Sequence, residues 1–196
     1  AEICLEACEA AKKAGVTISC DLNYRKKLWS KEKAGVVMGK LCKYVDVCVA
    51  NEEDAADVFG ICAENTNVTA GEVNRNGYKD VARQLAERFG FAKVAITLRE
   101  SISANDNIWS AMLYDGENYC FSKKYKVHIV DRVGGGDSFC GGLIASCLNG
   151  YDSQMTVEFA AAASCLKHSI EGDMNLVTVD EVLKLAGGDA TGRVQR

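Results

Sequence analysis

An α/β fold, a mainly parallel sheet with flanking helices, is the architecture this sequence predicts, and three observations predict it. Helix-period and strand-period segments alternate through the first half of the chain. The segment 93–98, Lys-Val-Ala-Ile-Thr-Leu, is almost continuously apolar, as strands covered on both faces are. After one hairpin-like pair the second half returns to helix periodicity, which gives the order βαβαβ, hairpin, helices. No internal repeat, low-complexity tract or linker interrupts the 196 residues, so a single α/β domain over 1–196 is the expected organisation.

Each element has its own signal. Residues 2–14 are amphipathic and run into Gly15, a residue suited to the position after a helix end. Residues 16–23, Val-Thr-Ile-Ser-Cys-Asp-Leu-Asn, are β-branched and then abruptly polar, which predicts a strand. A helix over 30–43 is opened by Ser30, whose hydroxyl can accept from a first-turn amide. Residues 44–50 form a buried strand, and Asn51 can cap a helix over 52–59 that stops at Gly60. The polar stretch 64–77 predicts a loop, and a helix over 77–89 ends at Gly90. Residues 108–114 and 118–127 flank Asp115-Gly116-Glu117 and predict a hairpin. Helices over 136–149, 153–170 and 178–186 complete the chain.

Composition narrows the function classes. A net charge of −4 argues against a generally basic surface for nucleic acid or anionic membrane. The runs Arg25-Lys26-Lys27 and Lys123-Lys124 are short enough to be solvated faces. No apolar stretch approaches the roughly 20 residues of a membrane span, and no signal-peptide pattern opens the chain. There are ten cysteines but no Cys-x-x-Cys and only two histidines, a pattern of small apolar thiols in a reducing cytoplasm rather than of disulfides or zinc. The chain also opens directly on a crossover-type helix, which predicts an N-terminal portion beyond it.

In parallel α/β sheets the ligand crevice lies past the carboxyl ends of the strands, so polar residues there carry the functional weight. Asp21, Asn23 and Arg25 alternate, so an extended segment would point all three the same way, as a binding surface or as an edge ion pair of Asp21 with Arg25. The run Asn51-Glu52-Glu53-Asp54 is either an acidic first turn favoured by the helix dipole or a carboxylate cluster holding Mg²⁺ through water. Thr97, Arg99 and Ser101 suit phosphate or nucleotide contacts. Finally, Gly134-Gly135-Gly136-Asp137 leads into an apolar helix. Glycines allow close approach of a ligand, and the first N–H groups of the helix are unsatisfied donors, which together make an anion site. It is neither a Walker loop nor a dinucleotide fingerprint, since the spacing and the flanking residues differ. Asp137 is equally placed as a helix cap or as a base taking a proton from a hydroxyl that attacks phosphorus.

At residues 131–145 the sequence DRVGGGDSFCGGLIA resembles the C-terminal signature of the ribokinase-like (PfkB) carbohydrate kinases. The stretches DLNYRKKLW at 21–29, TLRES at 97–101, HSIEGDMN at 168–175 and TGRVQR at 191–196 look like the 2-keto-3-deoxygluconate kinases among them. The resemblance spans essentially the whole chain. It implies a Rossmann-like, ribokinase-like sheet and an ATP- and Mg²⁺-dependent kinase that phosphorylates the 6-hydroxyl of 2-keto-3-deoxygluconate. Asp137 would be the base, with the amides around Gly134, Gly135 and Gly136 holding the transferring phosphoryl group. Arg25 and Asp173 would bind the sugar acid, Asn23 the nucleotide phosphates, and Thr97, Arg99, Ser101 and His168 the rest of the nucleotide. Asn51, Glu53 and Asp54 would match the family's Asn-x-x-Glu element, linked to Mg²⁺ through water.

Arg132 replaces the family's usual Thr, Asp54 ends the Asn-x-x-Glu element one methylene short, and the glycines usual after the third strand are absent. The N-terminal strands, Gly-Gly motif and β-lid of such kinases do not precede Ala1, so the resemblance implies the C-terminal, nucleotide-binding part of a sugar kinase. Another sugar kinase (fructokinase or ribokinase) or a non-catalytic nucleotide-binding module are the competing readings. The expected partners are a small sugar acid and ATP, with no nucleic acid and no membrane, and a homo-oligomer of the full-length protein stays open.

Overall fold

The computed structural model describes residues 1–63 and 75–188. Most of the polar stretch 64–77 and the TGRVQR segment therefore lie outside the described residues. In chain order the elements are α1 (Glu2–Lys13), β1 (Ser19–Asp21), α2 (Lys31–Leu41), β2 (Val47–Ala50), α3 (Glu52–Phe59), α4 (Arg75–Phe89), β3 (Lys93–Ser101), β4 (Asp106–Tyr114), β5 (Tyr119–Phe121), β6 (Tyr125–His128), α5 (Gly135–Leu148), α6 (Ser153–Lys167) and α7 (Val179–Gly187). A short 3-10 turn, Cys42–Tyr44, follows α2. The strands hydrogen-bond in the order β1-β2-β3-β4-β5, with β6 also on β4, a mainly parallel sheet with flanking helices as the sequence predicts. By compactness the chain divides into two units, Ala1–Thr97 with Met112–Tyr119, and Leu98–Ala111 with Cys120–Arg196.

In the first unit, β1, β2 and the start of β3 are parallel, with Cys20 beside Cys48 and Val49 beside Ala95. All four residues of β2 are buried, which explains its unbroken apolar sequence. The predicted caps form. Ser30 accepts from the Lys33 amide, Asn51 accepts from the Asp54 amide at 2.7 Å, and Gly60 closes α3 in the left-handed region at φ 68°. The strand expected over 16–23 pairs over only three residues, because Asn23 turns to φ 39° and ends the extended run. Alternation of Asp21, Asn23 and Arg25 along one extended strand is thereby corrected.

In the second unit, the hairpin's return arm is broken in two. Ser122 interrupts it by using its hydroxyl, as well as its amide, to bond the backbone of Ala111. Nor is β3 finished at residue 98: it continues through Ser101, so the TLRES segment belongs to the strand. The helices α5 and α6 pack closely, since a Cβ on Gly142 would stand 3.0 Å from the Ala160 Cα. Phe139, Leu143, Val157 and Ala160 to Ala163 fill that interface and are buried. A capping box, with Thr178 and Glu181 exchanging hydrogen bonds, opens α7.

Two expectations about charges and thiols change in detail. Lys123 and Lys124 are not simply solvated: Lys124 pairs with Glu100 at 2.6 Å, and Lys123 donates to the Ala186 carbonyl. No disulfide joins any of the ten cysteines, and Cys42, Cys48 and Cys165 are buried as the apolar pattern implies. Burial pushes the Cys42 thiol up to about 12 and the Cys165 thiol to about 11. Cys4, Cys62 and Cys147, in contrast, are exposed. Among the described residues no helix is long and apolar enough to cross a membrane.

Candidate active site

The predicted site residues fall into two groups, one in each unit. In the second unit the glycine run starts α5. Gly134 is the N-cap, in the left-handed region at φ 76°, and offers no side-chain cap. It has to be glycine, because a Cβ there would come within 2.0 Å of the Asp173 carbonyl oxygen. Gly135 is constrained by side-chain packing, since its Cβ would meet the His168 ring at 2.8 Å, whereas a Cβ on Gly136 would meet nothing. The Gly135 amide is turned to the Arg132 carbonyl at 3.3 Å, and the Ser164 hydroxyl donates to the Gly135 carbonyl at 2.7 Å. The amides of Gly136 and Asp137 are then among the first-turn donors that α5 cannot satisfy by itself.

Asp137 occupies the third position of α5, with its side chain exposed. It is therefore not the N-cap, and the cap reading loses its geometric basis. Asp137 lines a cavity of about 360 Å³ together with Gly134, Ser138, Asp173 and Asn175, among others. Asn175 donates to the Ser138 hydroxyl and to the Ala163 carbonyl, which fixes that wall. Asp131 ties two loops together: one carboxylate oxygen accepts from the Val133 amide and the other from the Gly172 amide, each at 2.9 Å. These hydrogen bonds, first Val133 and then Gly172, hold its carboxyl below the usual range.

His168 is buried. Its ring packs beside Trp109, with centroids 4.9 Å apart, and lies under Gly135. Nδ1 lies 2.7 Å from the Ser164 carbonyl, an acceptor only, so Nδ1 carries the proton. Burial lowers the pKa of His168. Arg132 finds a partner in the Ala104 carbonyl of the β3–β4 hairpin. Arg99 and Ser101 are exposed at alternate positions of β3.

In the first unit, Thr97 ends the unit's part of β3 and is partly buried. A second cavity, about 610 Å³, is lined by Tyr24, Arg25, Lys26, Lys27, Glu53 and Asp54, among others. Arg25, Lys26 and Lys27 are exposed there, and Arg25 donates to the Tyr24 carbonyl at 3.1 Å. Asn23 is exposed beside it. Asp54 is buried, accepts the Tyr24 amide at 3.0 Å, and has its pKa raised by burial. Asn51 spends its side-chain oxygen on the Asp54 amide. Of the three residues expected near Mg²⁺, only Glu53 is exposed, and no group of three or more ligating side chains able to hold a metal occurs among the described residues.

Sequence reasoning assigned no role to Asp131, Ser138, Ser164 or Asn175. Beyond short-range bonds such as that of Asp131 to Val133, hydrogen bonds to residues 12 to 41 positions away hold them in place, and only folding brings those together.

The family model described as pfkB family carbohydrate kinase matches residues 1–178. The chain belongs to this family. Among solved structures, the 2-dehydro-3-deoxygluconokinase of Thermotoga maritima superposes on this pfkB chain with a TM-score of 0.87 and 50% identity, covering 93% of this chain and 54% of that one. A PfkB family carbohydrate kinase from Listeria grayi gives a TM-score of 0.84 at 31% identity over 95% of this chain and 55% of its own. A curated relative, 2-dehydro-3-deoxygalactonokinase of Haloferax volcanii, is 31% identical over 94% of this chain and 52% of its own length. The pfkB chain thus spans about half the length of these relatives.

Proposed function

We propose that this pfkB chain serves ATP-dependent phosphorylation of the 6-hydroxyl of 2-keto-3-deoxygluconate, with Asp137 as general base. The observation that carries the reading is the start of α5: a glycine forced into the left-handed region, first-turn amides, and an exposed carboxylate that is not a cap. Amide donors and the positive end of a helix dipole stabilise the charge of a transferring phosphoryl group. A carboxylate one turn into the helix can take the proton of an attacking hydroxyl. Transfer of this kind depends on positioning and electrostatics rather than on a covalent intermediate.

In this reading Asp173, on the same cavity as Asp137, contacts the sugar. Arg25 contacts the substrate carboxylate, supported by Lys26 and Lys27 beside it. Asn23, Thr97, Arg99 and Ser101 contact the nucleotide, while His168 backs the glycine loop from within. Mg²⁺ enters as part of the substrate Mg·ATP. The likeness to the Thermotoga kinase favours the gluconate-derived substrate, and that to the Haloferax kinase favours the same keto-acid class.

A coupled assay with Mg·ATP and four acceptors tests this: both 2-keto-3-deoxy acids, fructose and ribose. Transfer to fructose or ribose but not to the keto-acids overturns the substrate. Nucleotide binding by calorimetry without transfer to any acceptor replaces the kinase with a binding module. Asp137→Asn should lower turnover by about 10²–10⁴-fold and leave nucleotide affinity unchanged; near-normal turnover removes Asp137 from the chemistry.

A further inference from the structure

Arg132 has no part in the chemistry above, yet its side chain and its main chain both have partners. Strand β3 ends at Ser101 and β4 begins at Asp106, so Ile102 to Asn105 form the tip of their hairpin. The tip is folded onto Asp106. The amides of Ile102 and Ser103 both donate to the Asp106 carbonyl at 3.0 Å, and the Ser103 hydroxyl donates to Asp106 Oδ2 at 2.8 Å. His128, opposite Asp106 on β6, holds the other oxygen, with Nδ1 2.9 Å from Oδ1. Two successive carbonyls of the tip bond to the segment that leads into α5. The Ile129 amide donates to the Asn105 carbonyl at 2.7 Å, and the Arg132 guanidinium donates to the Ala104 carbonyl. Arg132 also accepts the Gly135 amide on its own carbonyl, at 3.3 Å. One residue thus joins the hairpin tip to the glycine run.

We propose that Arg132 is a positioning residue that latches the β3–β4 hairpin to the glycine run and so fixes Arg99 and Ser101 relative to the start of α5. Those two side chains are exposed at the end of β3, immediately before the tip. A tip free to swing would carry them with it, whereas a tip held at Ala104 and Asn105 keeps them at one distance from the first-turn amides. Arginine suits the task. Its guanidinium stands on a long stem, stays charged at any working pH and makes a stronger hydrogen bond to a carbonyl than a neutral donor does. The threonine usual in the family at this position has a hydroxyl that stops next to Cβ. The latch follows from contacts alone; its effect on nucleotide binding rests on the kinase reading.

Arg132→Met keeps an unbranched stem and removes the donors and the charge; the residue is exposed, so the fold should survive the change. In that variant the amides of Ser103 and Ile129 should exchange with solvent about 10-fold faster or more, while the amides within α5 and α6 keep their protection. Arg132→Lys, which retains a cationic donor, should recover most of that protection. Unchanged exchange in the Met variant, or a Lys variant as unprotected as the Met one, overturns the latch. Calorimetry with Mg·ATP on Arg132→Met, on Arg99→Gln and on the double variant tests the positioning role. Each single change should weaken affinity about 10-fold or more, and the double variant should bind little worse than the worse single. Unchanged affinity in Arg132→Met, or losses that multiply in the double variant, show that Arg132 does not act through Arg99 and overturn that role. A chain that neither binds Mg·ATP nor transfers its phosphoryl group sinks the kinase reading and leaves the exchange result to decide the latch.

Discussion

At Gly134 a side chain would meet the Asp173 backbone, and at Gly135 it would meet the His168 ring, but at Gly136 it would meet open space. Folding therefore requires two of the three glycines, and the third is left for close approach of a ligand. Gly136→Ala should leave thermal stability unchanged or raise it, by up to about 1 kcal/mol, because alanine favours the helix. It should weaken Mg·ATP binding or turnover if the α5 start holds phosphate, and calorimetry beside a melting curve separates the two effects. His168 carries a second prediction at this scale. Its pKa lies below the ordinary histidine value of about 6.5, so the folded state binds fewer protons than the unfolded one. Stability should then rise with pH through that region and be lost as pH falls below about 6.5. A His168→Gln variant should show a shallower loss of Tm between pH 7 and pH 5; an unchanged slope would remove His168 as its source.

Among the elements, helix α2 contains two glycines whose surroundings differ. A Cβ on Gly35 would lie 2.8 Å from the Val58 carbonyl oxygen, while one on Gly39 would meet nothing. Gly39→Ala should stabilise the chain by about 0.5–1 kcal/mol, and Gly35→Ala should destabilise it, as denaturant melts would show. The sequence alone makes these two glycines look alike. Capping was more legible: Ser30, Asn51 and Gly60 do what their residue types predict, because a cap depends on backbone atoms within a few positions. Strand ends were less so. β1 stops at Asp21 because Asn23 turns, and β3 runs on to Ser101 as the hairpin partner of β4, a pairing that no local pattern around TLRES reveals.

Across the whole molecule the cysteines divide by environment. Cys4, Cys62 and Cys147 are exposed, whereas Cys42, Cys48 and Cys165 are buried with their thiols pushed up. An aromatic disulfide reagent should titrate the exposed three rapidly in the native protein and reach the buried three only on unfolding; fast native labelling of Cys42 would contradict this. The same distinction between local and distant causes runs through the molecule. The sequence by itself determined the fold class, the order of elements, most helix limits and the glycine-to-Asp137 motif, because periodicity, caps and family signatures reside in neighbouring residues. Only the tertiary structure decided that Asp137 is not a cap, that His168 is buried beneath Gly135, and that Asp131 knits two loops. Those outcomes depend on residue 131 meeting 172 and residue 135 meeting 168. The free energy of a buried charge or a close backbone contact depends on such distant neighbours, and no short stretch of sequence contains them.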